Sequence, residues 1–320
     1  MNTAASMAPA ATVAETIPPR SVSLDGVTED GSTRAGWLED YVALTKPKIV
    51  ALVLVTVTVG YLLGARGAAN PFYLAAALLG TGLVAASGSV WNQVIECSRD
   101  ARMRRTARRP LPSGRVAVWK AAVFGTALGA AGLALLLVGP HPMAAVVALV
   151  TFVLYAFVYT WLKPVTTLNT AVGAVPGALP PVIGWVAATG QLGIEAWALF
   201  LIVFLWQFPH FLAIAWIYRD DYARGGHRML PCVDPLGVLT GRQAAGHALV
   251  LVPVGLLPVA IGLAGPIYCL GALALGLYYL AGAVRFWQDV SDATARRLLG
   301  ASFLSLPAIL LLLLLNPLPS

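Results

Sequence analysis

Apolar residues in this chain fall into nine long blocks, near 49–65, 71–95, 117–138, 143–162, 168–188, 196–217, 243–264, 266–284 and 299–316, separated by short polar segments. Each block is about as long as a helix needs to be to cross a bilayer. Ahead of them, Trp37 to Thr45 (WLEDYVALT) reads as a short interfacial helix leading to Lys46, Pro47 and Lys48 at the membrane boundary. Residues 1–36 are rich in Ala, Thr, Ser and acids. They lack an apolar core segment, so they read as a disordered tail with neither a secretory signal nor an Arg-rich transit sequence. The pattern predicts an all-α integral membrane protein, a nine-helix bundle occupying residues 37–320.

Composition agrees. The chain is 58% apolar and 11% charged, where a soluble domain carries roughly a quarter charged residues. A net charge of +7 raises nucleic acid as a partner, but the basic residues sit in short loops beside apolar blocks, which is the pattern of membrane topology. With the N-terminus inside, the inner loops are 96–116, the segment around 163, 218–242 and 285–298. Of 21 Lys and Arg, only Arg66 then falls in an outer loop, and Glu195 is the only outer acid. This puts the N-terminus on the cytoplasmic side and the C-terminus outside. Without a transit sequence, the expected location is a bacterial-type inner membrane. Cys97, Cys232 and Cys269 form no CxxC pair and no metal-ligand spacing, and read as unpaired thiols.

The chemistry concentrates in WNQVIECSRDARMRRTARRPLPSGRV, Trp91 to Val116. Asn92, Glu96 and Asp100 recur every four residues, which stacks them on one helical face. Arg99, Arg102, Arg104, Arg105, Arg108, Arg109 and Arg115 follow. A single boundary acid is most simply an interfacial group paired to a neighbour such as Arg99 or Arg104. Three acceptors on one stripe beside seven arginines point instead to a polyphosphate site. A shorter echo, WIYRDDYARGGHRMLP, lies at Trp216 to Pro231. There Asp221 shares a face with Tyr218 and Tyr222 while Asp220 points elsewhere, and Gly225-Gly226 ends the helix before His227 and Arg228. The two motifs follow spans four apart, so both loops lie on one side of the membrane and their acidic helix ends are placed to meet across one cavity.

Magnesium takes oxygen ligands and commonly joins one or two carboxylates to substrate phosphates. Arginines take the remaining phosphate charge, and together they would favour departure of diphosphate from an allylic carbon in a water-poor apolar cavity. Two other features stay open at this level. NTAVGAVPGALPPVIGW, Asn169 to Trp185, is either a kinked packing helix or a cavity wall. His210, in WQFPHF, is either a hydrogen-bonded structural group or a ligand on the acceptor side, placed three turns from Asp221 if the helix is continuous. His141 and His247 lie at boundaries and read as uninvolved.

NQVIECSRDARMRRTARRPLPSGR resembles the first signature of the UbiA-type intramembrane prenyltransferases, in the branch that farnesylates protohaem. LTKPKI at 44–49, LKPVTTLNTAVGAVPGALPPVIGW at 162–185, WQFPHFLAIAW at 206–216 and YRDDYARGGHRMLP at 218–231 match in the same order, so the likeness spans about residues 40 to 316. It implies a bundle around a prenyl-diphosphate cavity, with Mg2+ as cofactor and Asn92, Glu96, Asp100 and Asp221 as catalytic and metal-binding residues. Substrate-binding candidates are Lys46, Arg105, Arg109, Lys163, Asn169, His210, Tyr218 and Arg228. The implied reaction moves a farnesyl group from farnesyl diphosphate to a vinyl group of protohaem IX, with water completing haem O. A haem A synthase or an oxidase assembly factor is the expected partner downstream. Two positions depart from the family pattern: Ser98 stands where many members have an acid, and Ile217 where other branches have one. Such a site would hold metal more loosely or lean more on arginine. A quinone-ring or chlorin acceptor is the nearest rival. A transporter is the rival from another class, disfavoured because carriers place their polar sites near the midplane.

Overall fold

The structure, a computed structural model, describes residues 33–318. The tail expected over 1–36 lies outside them except for its last four residues, which join a helix, Thr33–Thr45, that starts earlier than the sequence pattern suggested. Among the described residues there are nine helices long and apolar enough to span: Pro47–Ala65, Pro71–Asp100, Val118–Val138, Pro142–Leu162, Asn169–Thr189, Ile194–Ile217, Val238–Ala260, Pro266–Gln288 and Asp292–Leu315. They are called the first to ninth spans.

The largest differences from the apolar blocks lie at the inner ends. The second span continues as helix to Asp100, and the ninth begins at Asp292, where Ser291 and Thr294 cap each other's backbone N–H groups. Apolarity marks where a helix meets hydrocarbon, whereas capping and loop contacts decide where it stops. On the outer side Arg66 meets Glu195 at 3.3 Å, so the two outer charges pair with each other. Being exposed, that pair contributes little.

The fifth span consists of two half-helices, Asn169–Ala178 and Pro180–Thr189, stepped at Leu179 because Pro180 and Pro181 supply no N–H. Its outer half packs backbone to backbone on the first span. A Cβ on Gly184 would stand 2.0 Å from the Val57 carbonyl, and one on Gly60 would stand 2.0 Å from that of Pro181. That close approach of small residues is how spans adhere without a hydrophobic driving force. The inner half packs as well, since Gly173 seats the ring of Tyr159 from the fourth span.

The fourth span carries a π-helical turn, Leu154–Tyr159, a distortion that often marks functional positions. The sixth span ends at Tyr218, whose φ of −109° and ψ of 20° break the helix before the short turn Arg219–Arg224. Behind both, Tyr268, Tyr279 and Phe286 are fully buried in the main core. Tyr279 donates to the Trp206 carbonyl at 3.0 Å, fixing the eighth span against the sixth.

Candidate active site

The four-residue spacing does what it predicts. Asn92, Glu96 and Asp100 share the buried face of the second span, exposed by only 2%, 3% and 1%. Three cations reach them, two from distant segments and one from the loop that follows the span. Lys46 Nζ donates to Asn92 Oδ1 at 3.0 Å, Lys163 Nζ lies 2.8 and 2.9 Å from the two oxygens of Glu96, and Arg109 donates to Asp100 at 2.7 Å. Asn92 Nδ2 links this line by donating to Glu96 at 2.8 Å and to the Thr160 hydroxyl at 3.1 Å. The simple reading of boundary acids paired to Arg99 or Arg104 is thus overturned. The partners are Lys163 and Arg109, and the two carboxylates are buried. Ser98 is exposed and off this stripe, so the acid missing there leaves the buried face intact.

Backbone geometry supports the first cation. Lys46 sits at φ 51°, ψ 61°, a left-handed conformation that is uncommon outside glycine and costs energy. It turns the chain sharply between the interfacial helix and the first span, delivering the ammonium to Asn92. Burial, then Arg109 and Lys163, pull its pKa down to about 7, against the opposing carboxylates of Glu96 and Asp100. Burial also disfavours the charged form of Lys163, but Glu96 and the neighbouring Tyr159 and Tyr155 outweigh it and hold its pKa above the ordinary lysine value.

The second motif meets the arginine loop of the first rather than its carboxylate stripe, and the Asp221 oxygens expected to bind metal are taken by that loop and by Arg224. Asp221 is buried and its two oxygens accept the backbone N–H groups of Arg104 and Arg105, each at 3.1 Å, and the Arg224 guanidinium. Burial raises its pKa, yet Arg224 and the two backbone donors win and lower it. Asp221 therefore clamps the arginine loop. Arg105 folds back over Tyr218 and Tyr222, its guanidinium carbon 4.8 and 5.6 Å from the ring centroids. Arg104, Arg105, Ile217, Tyr218, Asp220, Asp221 and Arg224 line an open recess of about 390 Å³. Ile217 puts an apolar side chain at the position where other branches have an acid.

The remaining candidates divide. Asn169 is fully buried and donates to the carbonyls of Thr166, at 2.6 Å, and Arg228, at 3.0 Å, while the Arg228 N–H bonds the Lys163 carbonyl at 2.7 Å. These contacts stitch the Lys163 segment to the loop of the second motif. Arg228 contributes mainly backbone there; its side chain is exposed and donates to the Val165 carbonyl at 3.3 Å.

His210 is placed elsewhere. It bonds Ser302 Oγ of the ninth span at 2.7 Å and stacks on Trp206 at 4.8 Å. The break at Tyr218 removes the continuous count that aligned it with Asp221. Ser302 Oγ also donates to the Leu299 carbonyl at 2.6 Å. Since that carbonyl only accepts, both contacts are satisfied with the proton on His210 Nδ1. His210→Ala is expected to lower stability by about 1–3 kcal/mol and leave diphosphate binding unchanged. Thermal melting alongside a binding titration checks this. His141 caps the fourth span by accepting from Met143 N at 3.1 Å, and His247 stacks on Phe208. The three cysteines are free.

Sequence reading missed Tyr155, Tyr159 and Thr160. The two tyrosine rings stack at 5.9 Å, Lys163 Nζ lies 4.6 Å from the Tyr159 centroid, and Tyr155 rests against Gly88. An aromatic-rich fourth span was visible, but only the π-helical turn brings these rings beside the polar line. His227 was also passed over as a loop residue.

Among the described residues no cluster of three or more His, Cys, Asp or Glu suits a metal ion. The donors that do gather, Asn92, Glu96 and Asp100, are all oxygen. Glu96 Oε1 is a buried acceptor with Lys163 near it but no aligned hydrogen bond. An oxygen set with a spare acceptor, already balanced by neighbouring cations, fits a hard divalent ion arriving with a phosphate ligand.

Buried carboxylates, cations and stacked aromatic rings thus gather at one end of a nine-span bundle. The chain belongs to the UbiA prenyltransferase family, whose model matches residues 53–316. It is 44% identical over 288 residues to a protoheme IX farnesyltransferase of Solibacter usitatus, covering 87% of this chain and 99% of that one. To the mitochondrial protoheme IX farnesyltransferase of Arabidopsis thaliana it is 41% identical, covering 86% and 64%. Among solved structures, a digeranylgeranylglyceryl phosphate synthase superposes with a TM-score of 0.74 at 18% identity, covering 87% of this chain and 98% of that one. A UbiA homolog from Archaeoglobus fulgidus bound to GPP and Mg2+ gives 0.62 at 16%, covering 86% and 99%. These two likenesses speak to the fold.

Proposed function

We propose that this protein transfers the farnesyl group of farnesyl diphosphate to a vinyl group of protohaem IX, releasing diphosphate and, after addition of water, giving haem O. The reading rests on one observation above others: three oxygen donors and three cations, drawn from four segments, meet on the buried face of the second span. The relatives named protoheme IX farnesyltransferase, matched over nearly nine-tenths of this chain, supply the acceptor. A quinone-ring or chlorin acceptor has no comparable support.

Asn92, Glu96 and Asp100 would hold Mg2+, which when bound neutralises charge on the departing diphosphate and so eases heterolysis of the allylic C–O bond. Lys46, released from the Asn92 amide oxygen, and Lys163 and Arg109, released from their carboxylate partners, take phosphate oxygens. Asp221 keeps the arginine loop in register with this site. Tyr155 and Tyr159 present aromatic faces to the reacting end of the prenyl chain and limit the access of water. The farnesyl carbon bonds the terminal vinyl carbon, water adds at the inner one, and one proton leaves. The reaction belongs on the cytoplasmic side of a bacterial-type inner membrane, with the lipid phase carrying the prenyl tail. A haem A synthase or an oxidase assembly factor is the natural recipient of so apolar a product.

A stability assay tests the binding half. Magnesium and farnesyl diphosphate together are expected to raise the melting temperature of the purified protein well beyond the effect of either alone. An equal effect from either component alone would remove the joint site and favour a carrier.

A further inference from the structure

His227 lies in the loop after the second motif, beyond Gly225-Gly226, where Gly226 takes a φ of 72° that suits glycine. Its backbone N–H bonds the Tyr222 carbonyl at 2.9 Å, and the next residue, Arg228, bonds the Lys163 carbonyl. The ring is therefore carried to the junction of the two motifs. The charges that act on it are those of the site itself: Glu96, Lys163, Arg99 and Asp100. Its flanks are fixed, because Gly225 leaves room for both Met103 and the imidazole edge, and the Tyr222 ring meets it edge-on at 6.0 Å.

The side chain is 3% exposed and Nδ1 is buried without any hydrogen-bond partner. A buried polar atom left unpaired is costly, and native structures rarely tolerate one without a reason. Asn92, Asp100 and Thr160 of the polar line have hydrogen-bond partners, and so does Glu96 at Oε2, with the Lys163 ammonium also close to its Oε1. The His227 Nδ1 is left with nothing to hold.

We propose that His227 is a diphosphate-binding residue, donating a hydrogen bond from its ring to a phosphate oxygen of the prenyl substrate. This rests on the assignment of the site to a prenyl diphosphate and adds a contact that neither the carboxylate stripe nor the arginine loop supplies. A fully ionised diphosphate can only accept hydrogen bonds, so the imidazole serves it as donor. Burial pushes the His227 pKa down to about 4, so the free ring is neutral and one nitrogen carries the single proton. No partner within the protein fixes which nitrogen that is, which leaves Nδ1–H free to form when the anion arrives. A neutral donor also adds no fixed cation beside Lys163 before substrate binds.

The test uses the full chain in detergent with magnesium, titrated calorimetrically with inorganic pyrophosphate and, separately, with protohaem. His227→Phe keeps a planar ring without a donor, and His227→Gln keeps an amide donor of similar reach. The expected result is pyrophosphate binding weakened about tenfold or more by Phe, largely retained by Gln, with protohaem binding unchanged in both. Pyrophosphate binding by His227→Phe equal to wild type overturns the proposal. So does a parallel loss of pyrophosphate and protohaem binding in both variants, which would mark a merely structural ring. Failure of the wild-type protein to bind pyrophosphate with magnesium would instead bring down the underlying assignment of the site.

Discussion

Asp100→Ala is expected to reduce farnesyl transfer by at least about a hundredfold, the scale of losing one pre-organised electrostatic group at a reacting centre. Asp100 is the innermost acid of the stripe and is 1% exposed, with Arg109 as its partner at 2.7 Å. Removing the carboxylate takes away one oxygen donor for metal and frees Arg109 to wander from its post. The protein should still insert, because the spans and the loop bond from Thr106 Oγ1 to the Asp100 carbonyl, at 2.8 Å, do not depend on the side chain. Membrane fractionation and a turnover assay on the same preparation check both halves. Near-normal turnover would remove Asp100 from the metal and diphosphate site.

The pair formed by Glu96 and Lys163 should separate stability from activity. Lys163→Met leaves the Glu96 carboxylate buried without its ammonium, and breaking a buried pair in this way costs about 3–5 kcal/mol. Glu96→Gln leaves a buried ammonium with only the Tyr159 ring and an amide near it. The double variant removes both charges and is expected to regain most of the lost stability, because a buried ion pair seldom beats a neutral replacement. Activity should stay absent in all three. Melting measurements complete the cycle. A double variant as unstable as the sum of the singles would mean that the two groups act independently, contrary to the geometry.

Much of this was legible in the chain. Nine apolar blocks and the charge asymmetry gave the spans, since hydrocarbon thickness and loop charge are written directly into composition. The spacing of Asn92, Glu96 and Asp100 gave one face of the site because it depends only on helical periodicity. Their cationic partners were harder to see. Lys46 reaches Asn92 through an unusual left-handed backbone, and Lys163 comes from a loop 67 residues on. Asp221 illustrates the same limit, because sequence marks it as an inward acid yet not as the group that receives the Arg104 and Arg105 backbone. Tyr155, Tyr159 and Thr160 depend on a π-helical turn that has no sequence signature here. His210 went the other way, since a count along one helix assumed a continuity that Tyr218 breaks.

The most direct measurement incubates membranes containing the protein with protohaem, farnesyl diphosphate and magnesium, then weighs the extracted haems by mass spectrometry. The expected product is a haem heavier than protohaem by a farnesyl group plus the elements of water, absent when Asp100→Ala membranes are used. Protohaem recovered unchanged, from membranes in which the protein demonstrably binds farnesyl diphosphate and magnesium, would contradict haem as the acceptor.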